Sequence, residues 1–131
     1  MGSTVQKFVE LVGRILLMVL FLLSGVGKIG QYAGTADYMA SAGVSGSLLP
    51  LVIITEIAGA VLVIIGWRTR LVSLLLAGYT ILAALIFHGN VSDPNQMVHF
   101  LKNLSIAGGF LLLVANGAGP LSLDQRRRPA R

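Results

Sequence analysis

The chain has 131 residues, of which 55% are hydrophobic and only 11% charged, with a mean hydropathy of +0.83. Soluble domains run at about 25% charged residues, so this is the composition of a single membrane domain, and the absence of cysteine excludes disulfides, thiol redox chemistry, iron–sulfur clusters and zinc–thiolate sites. The net charge of +5 does not describe a nucleic-acid face, because Arg126, Arg127, Arg128 and Arg131 crowd the last six positions and Arg68 and Arg70 sit in a short connection between apolar runs.

The first apolar run covers residues 8–26. Lys7 before it and the small residues 24–27 after it have the layout of a signal peptide, but Glu10 and Arg14 interrupt it and no A-x-A site follows, so it reads as a retained span. Arg14, Phe21 and Lys28 recur at seven-residue spacing and share a face with Leu17, Met18, Ser24 and Gly25. In the next connection, residues 27–47, Thr35 can cap a short helix, Asp37 lies in its first turn and Gly43 can end it. Tyr38, Met39 and Ala42 fall on one side of it, which predicts a two-turn interfacial helix, an anchor or a lid over the polar centre.

Residues 48–66 form the second run. Nineteen helical residues rise about 28 Å, near the hydrocarbon thickness of a bilayer. Glu56 lies near the middle, aligned with Val52, Gly59, Ala60 and Val63, and a carboxylate at that depth needs a partner or a task. Arg14, Lys28, His88 and Lys102 are the candidate partners. Counted along the helix axes, Glu56 lies about 12 Å inside the outer end of its span, Lys102 about 8 Å inside its own, and Arg14 roughly 9 Å from the inner end of the first. That ordering favours Arg14 or Lys102 as the charge partner.

The third run, residues 71–87, carries no charge, and it aligns Ala77, Ile81 and Ala84 with His88 at its outer end; Trp67 marks the inner interface just before it. The fourth, residues 97–115, places His99, Lys102, Asn103, Ile106 and Phe110 on one face. Thr55 with Gly59 and Ser105 with Gly109 are small-xxx-small pairs for helix packing. A glycine- and proline-rich stop at 116–120 precedes the basic tail, residues 121–131, read as a solvated orientation signal that touches anionic lipid.

The expected fold is an all-α membrane protein, a four-transmembrane-helix bundle with a short outer interfacial helix, in one domain spanning residues 1–131. Runs two and three lack the polar stripe that a soluble bundle requires. Eight of the ten basic residues fall on the side of the termini, which places both termini in the cytoplasm.

The inward polar faces admit three uses. Glu56 can pair with a basic residue and fix the bundle. The centre can hold a ligand: Arg14, Lys28 and Lys102 outnumber Glu56, which suits a small anion or a quinone head group. Or Glu56 can handle protons with His88 or His99 as the outer relay. A metal held by His88, Asp93 and His99 is not expected, because histidines at an interface are more often hydrogen-bonded or solvated. Nucleophilic catalysis has no residues to carry it.

The ordered set Arg14, Ser24-Gly25-Val26-Gly27-Lys28, Tyr32-Ala33-Gly34-Thr35, Tyr38-Met39, Leu49-Pro50-Leu51, Glu56, Gly66-Trp67-Arg68-Thr69-Arg70, Phe87-His88, Lys102-Asn103-Leu104-Ser105-Ile106-Ala107-Gly108-Gly109 and Gly117-Ala118-Gly119-Pro120 resembles the DoxX family of small four-helix bacterial membrane proteins, across residues 12–124. The family takes its name from a relative linked to thiosulfate–quinone oxidoreduction, and other members are associated with oxidative-stress and thiol-stress assemblies. The resemblance implies an inner-membrane protein in the lipid bilayer, acting as an accessory or subunit of a redox system with a redox-protein partner and quinone as the candidate cofactor. A thiol relay does not carry over to a chain without cysteine.

The resemblance singles out Arg14, Lys28, Glu56, His88, Lys102 and Asn103 as the ligand-binding set. On the reading of the polar faces, Glu56 is the central acid, Lys102 and Arg14 are its charge partners, Asn103 is an orienting amide, and Lys28 and His88 form the outer entrance. The alternatives are a small proton-coupled permease, which would need a homodimer for alternating access, and a non-catalytic membrane scaffold.

Overall fold

The computed structural model describes residues 3–127. The helices run α1 (Ser3–Gly30), α2 (Tyr32–Ser41), a 3-10 turn (Gly46–Leu48), α3 (Leu49–Ile65), α4 (Thr69–Phe87), α5 (Pro94–Asn116) and α6 (Leu123–Arg127). Four of them, α1, α3, α4 and α5, are long and apolar enough to cross a membrane. The chain is an all-α membrane bundle.

Local chemistry sets the ends of these helices. Gly66 closes α3 in the left-handed region at φ +76°, its N–H reaching the carbonyls of Leu62 and Val63. Asp93 opens α5 by accepting from Asn95 N at 3.0 Å, with Pro94 in the first turn, where no amide is needed. The interfacial helix begins earlier than expected. Thr35 does not cap α2 but lies inside it, its hydroxyl donating to the Gln31 carbonyl at 2.8 Å.

The bundle is built from two tight pairs, α1 with α3 and α4 with α5, joined mainly between α3 and α4. Met18, Phe21, Ala60, Val63, Leu76, Ala77 and Phe110 form the core layer between them. Phe21 meets Phe110 edge to face at 5.4 Å and 62°. Close approach needs glycine at two points: a Cβ on Gly25 would lie 2.6 Å from Ile57 Cγ1, and one on Gly59 would lie 2.9 Å from Leu76 Cδ2. Leu16, Leu23 and Leu112 stand exposed on the outside, as lipid contact requires.

On α4 the inward face keeps Ala77 and Ala84 as expected but not Ile81. Thr69, Ser73, Leu76, Ala77, Thr80 and Ala84 are buried, whereas Ile81 faces outward. The expected face was anchored on His88, which caps the helix with φ −128° and so does not continue its angular progression. Thr80 is easily buried because its hydroxyl returns to the Leu76 carbonyl at 2.7 Å.

The C-terminal segment is not solvated throughout. Its first part folds back on the bundle, where Asp124 accepts from Arg68 N at 2.7 Å and Thr69 N at 2.8 Å and donates its own N–H to the Gly66 carbonyl at 2.8 Å. Residues 128–131, with the rest of the expected basic tail, lie outside the described residues. Asp124 thus caps α4 from another part of the chain, and Asp124→Ala should lower stability by about 1–2 kcal/mol. Thermal unfolding in detergent reads that loss; an unchanged midpoint would remove the cap from the account.

Candidate functional site

At the end of the bundle opposite the termini, a cavity of about 360 Å³ opens between the two helix pairs. Ser24 and Lys28 of α1, Glu56 of α3, Tyr79 of α4 and Asn103 of α5 lie in its walls, with Tyr38 and Met39 of α2 above. Tyr38 stacks on Phe87 at 5.5 Å and 22°, and Met39 is buried. The interfacial helix therefore covers the cavity rather than lying apart from it.

Glu56 is held by three side chains. Lys28 Nζ donates to Oε1 at 2.9 Å and to Oε2 at 3.2 Å; Ser24 Oγ donates to Oε1 at 3.0 Å; Tyr79 Oη donates to Oε2 at 2.8 Å. Lys28 Nζ also donates to Ser24 Oγ at 2.6 Å, one helical turn below it. The Glu56 side chain is 7% exposed and that of Lys28 25%, so the carboxylate is internal while the lysine stem reaches inward from a wetter position.

The charge partner is therefore Lys28, not Arg14 or Lys102, and side-chain direction explains why. Helical side chains lean toward the N-terminus of their own helix. On α1, Lys28 leans down into the bundle toward Glu56, whereas Arg14 leans away from it, to the carbonyls of Val63 and Leu121. On α5, which enters the bundle from the cavity end, Lys102 leans outward, with its Nζ 3.3 Å from His99 Nδ1. Axial counting had treated each charge as level with its Cα.

Lys28, Glu56, His88, Lys102 and Asn103 all line the cavity; Arg14 is buried at the far end and does not. The centre is accordingly less positive than expected, because the Lys28 charge is balanced by Glu56 and Arg14 is remote. His99 is exposed and does not line the cavity, whereas Lys102 lines it while remaining exposed. His88 Nδ1 lies 3.0 Å from Gln96 Oε1, and its ring stacks on His99 at 4.9 Å. Asn103 Nδ2 donates to the Thr80 carbonyl at 3.4 Å. Among the described residues no three metal-ligating side chains gather.

Sequence reasoning missed Tyr79. Its signal was position: a tyrosine in the middle of a charge-free span, away from the interfaces where phenols usually rest, must find an internal partner. The site can bind a molecule with a polar head and an apolar body, since a fixed polar floor lies among Leu20, Val52, Leu82 and Ile106.

A family model described as DoxX matches residues 9–89, from the first turns of α1 to the end of α4. The chain is 47% identical over 115 residues to the inner membrane protein YqjF of Escherichia coli strain K12, covering 88% of each chain. It is 39% identical over 124 residues to the inner membrane protein YphA of the same strain, again covering 88% of each. It is also 35% identical over 81 residues to the ER-derived vesicles protein ERV29 of Saccharomyces cerevisiae, 58% of this chain and 26% of that one. No solved structure matches. The matched region carries Lys28, Glu56, Tyr79 and His88, and on these findings the chain belongs to the DoxX family.

Proposed function

We propose that this inner-membrane protein is an accessory or subunit of a membrane redox system and that its cavity holds the head group of a quinone. The observation that carries the reading is the threefold hold on Glu56 beneath apolar walls. With Lys28 paired to Glu56, the floor is close to neutral, and among the described residues Lys102 is the lysine or arginine left to the cavity. A single exposed lysine is little for a small anion. A quinone needs hydrogen-bond donors for its carbonyls and apolar contact for its ring, and Lys102, Asn103 and the walls supply these. Leu20, Leu82 and Ile86 line the cavity and are also exposed on the outer surface, so an apolar tail can pass into the lipid. The basic residues at the opposite end support cytoplasmic termini and an outer-leaflet cavity.

The permease reading would require the layer of Met18, Phe21, Val63, Leu76 and Phe110 to part, since it separates the cavity from the other end. Mass spectrometry of small molecules retained by protein purified gently from native membranes tests the proposal. A quinone enriched with wild type and lost from the Glu56→Gln, Lys102→Met double variant is the expected result. Equal, empty profiles from two folded proteins would overturn it, and a retained anion would replace the quinone as ligand.

A further inference from the structure

At the end bearing the termini, two other cavities meet. One, of about 540 Å³, is a groove between α1 and α5 with Gly13, Leu17, Gly109 and Leu112 in its walls. The other, of about 480 Å³, is a bowl with Arg68, Thr69 and Arg70 in its wall. They share Glu10, Asn116, Gly117 and Ala118, so groove and bowl adjoin. Glycine keeps the groove wide: a Cβ on Gly13 would meet nothing within 4 Å, and one on Gly109 would lie 3.4 Å from Leu17 Cδ1. Arg70 lies over Gly117, where a Cβ would come 3.2 Å from its Nε.

The walls contain polar atoms that are buried without a partner. Thr69, which lines the bowl and is 0% exposed, has no partner for its buried Oγ1; Arg14, which lines the groove and is 1% exposed, has none for its buried Nε. The remaining Arg14 hydrogen bonds go to backbone carbonyls, and the Glu10 and Asp124 carboxylates act on its charge electrostatically. The carboxylates nearby are engaged: Asp124 holds two backbone amides, and Glu10 Oε1 accepts from the Gln6 amide at 3.0 Å. The first amides of α4 are thus filled. Around the two cavities the three cations Arg14, Arg68 and Arg70 face the two carboxylates Glu10 and Asp124, an excess of one positive charge.

We infer that groove and bowl together bind one anionic phospholipid. Its acyl chain lies along the groove between α1 and α5, and its phosphate lies in the bowl against Arg70 and Thr69. A free phosphate would share the head-group chemistry but leave the apolar groove unfilled.

Delipidated protein titrated with phosphatidylglycerol and followed by native mass spectrometry tests this, with phosphatidylcholine and inorganic phosphate in parallel. One phosphatidylglycerol should bind about tenfold more tightly than phosphatidylcholine. Arg70→Gln should weaken it about tenfold through the phosphate, and Gly13→Leu similarly by filling the groove without changing charge. Unchanged helical circular dichroism confirms that both variants fold; Gly13 faces open space, so its variant should. Equal retention of the two lipids overturns the inference, as does indifference to Gly13→Leu. Displacement by inorganic phosphate together with that indifference would make the bowl a phosphate site without a lipid.

Discussion

Replacing Lys28 with methionine should cost the bundle about 2–4 kcal/mol, and adding Glu56→Gln should restore more than half of that loss. The single change leaves a carboxylate inside the bundle with donors from Ser24 and Tyr79 but no counter-charge. Losing one member of an internal pair costs more than the pair is worth, because the remaining charge keeps its desolvation penalty. The quarter exposure of Lys28 places the figure below that for a fully enclosed pair. Lys102→Met should change stability by no more than about 0.5 kcal/mol, since its exposed ammonium lies beside His99, outside the Glu56 network. Unfolding in mixed detergent and dodecyl sulfate micelles measures all three. A larger loss from Lys102→Met than from Lys28→Met would remove Lys28 from the centre of the site.

The four spans were legible because bilayer thickness and backbone satisfaction leave an apolar chain little choice. The α1 stripe was equally legible: Arg14, Met18, Phe21 and Gly25 are buried on the side that their spacing assigns. The internal pairing was not, because periodicity gives the angle around a helix and not the direction in which a long side chain leans. Applying the N-terminal lean to Lys28, Arg14 and Lys102 would have separated them. Tyr79 was missed because an aromatic in an apolar run reads as core until a carboxylate is found opposite it. The return of Asp124 to α4 joins residues more than fifty positions apart through backbone amides, which no local pattern encodes.

The two ends of the bundle consequently do different chemistry. At the cavity end the charges are balanced in a fixed network, and the walls are apolar. At the other end guanidinium groups stand among backbone carbonyls and engaged carboxylates. The aromatic and aliphatic layer between them keeps the two apart. A ligand at one end thus meets none of the side chains that line the other.

Gly66→Ala should be among the most damaging small substitutions, costing about 2–5 kcal/mol. Two terms contribute. At φ +76° a Cβ crowds the backbone, which costs roughly 1–2 kcal/mol. That Cβ would also collide with the Ser122 side chain and the Arg14 guanidinium, and the displacement adds about 1–3 kcal/mol. The collision matters beyond α3, because Gly66 is where the segments meet: its carbonyl receives Asp124 N–H, and Trp67 N–H returns to Leu62 at 2.9 Å. Gly43→Ala is the control, with φ +86° and nothing within 4 Å, so it should show the backbone term alone. The same micelle unfolding assay separates the terms by subtraction. If the two alanines cost the same, the contact of Arg14 and Ser122 with Gly66 contributes nothing, and the closure of this end over Arg14 would have to be redrawn.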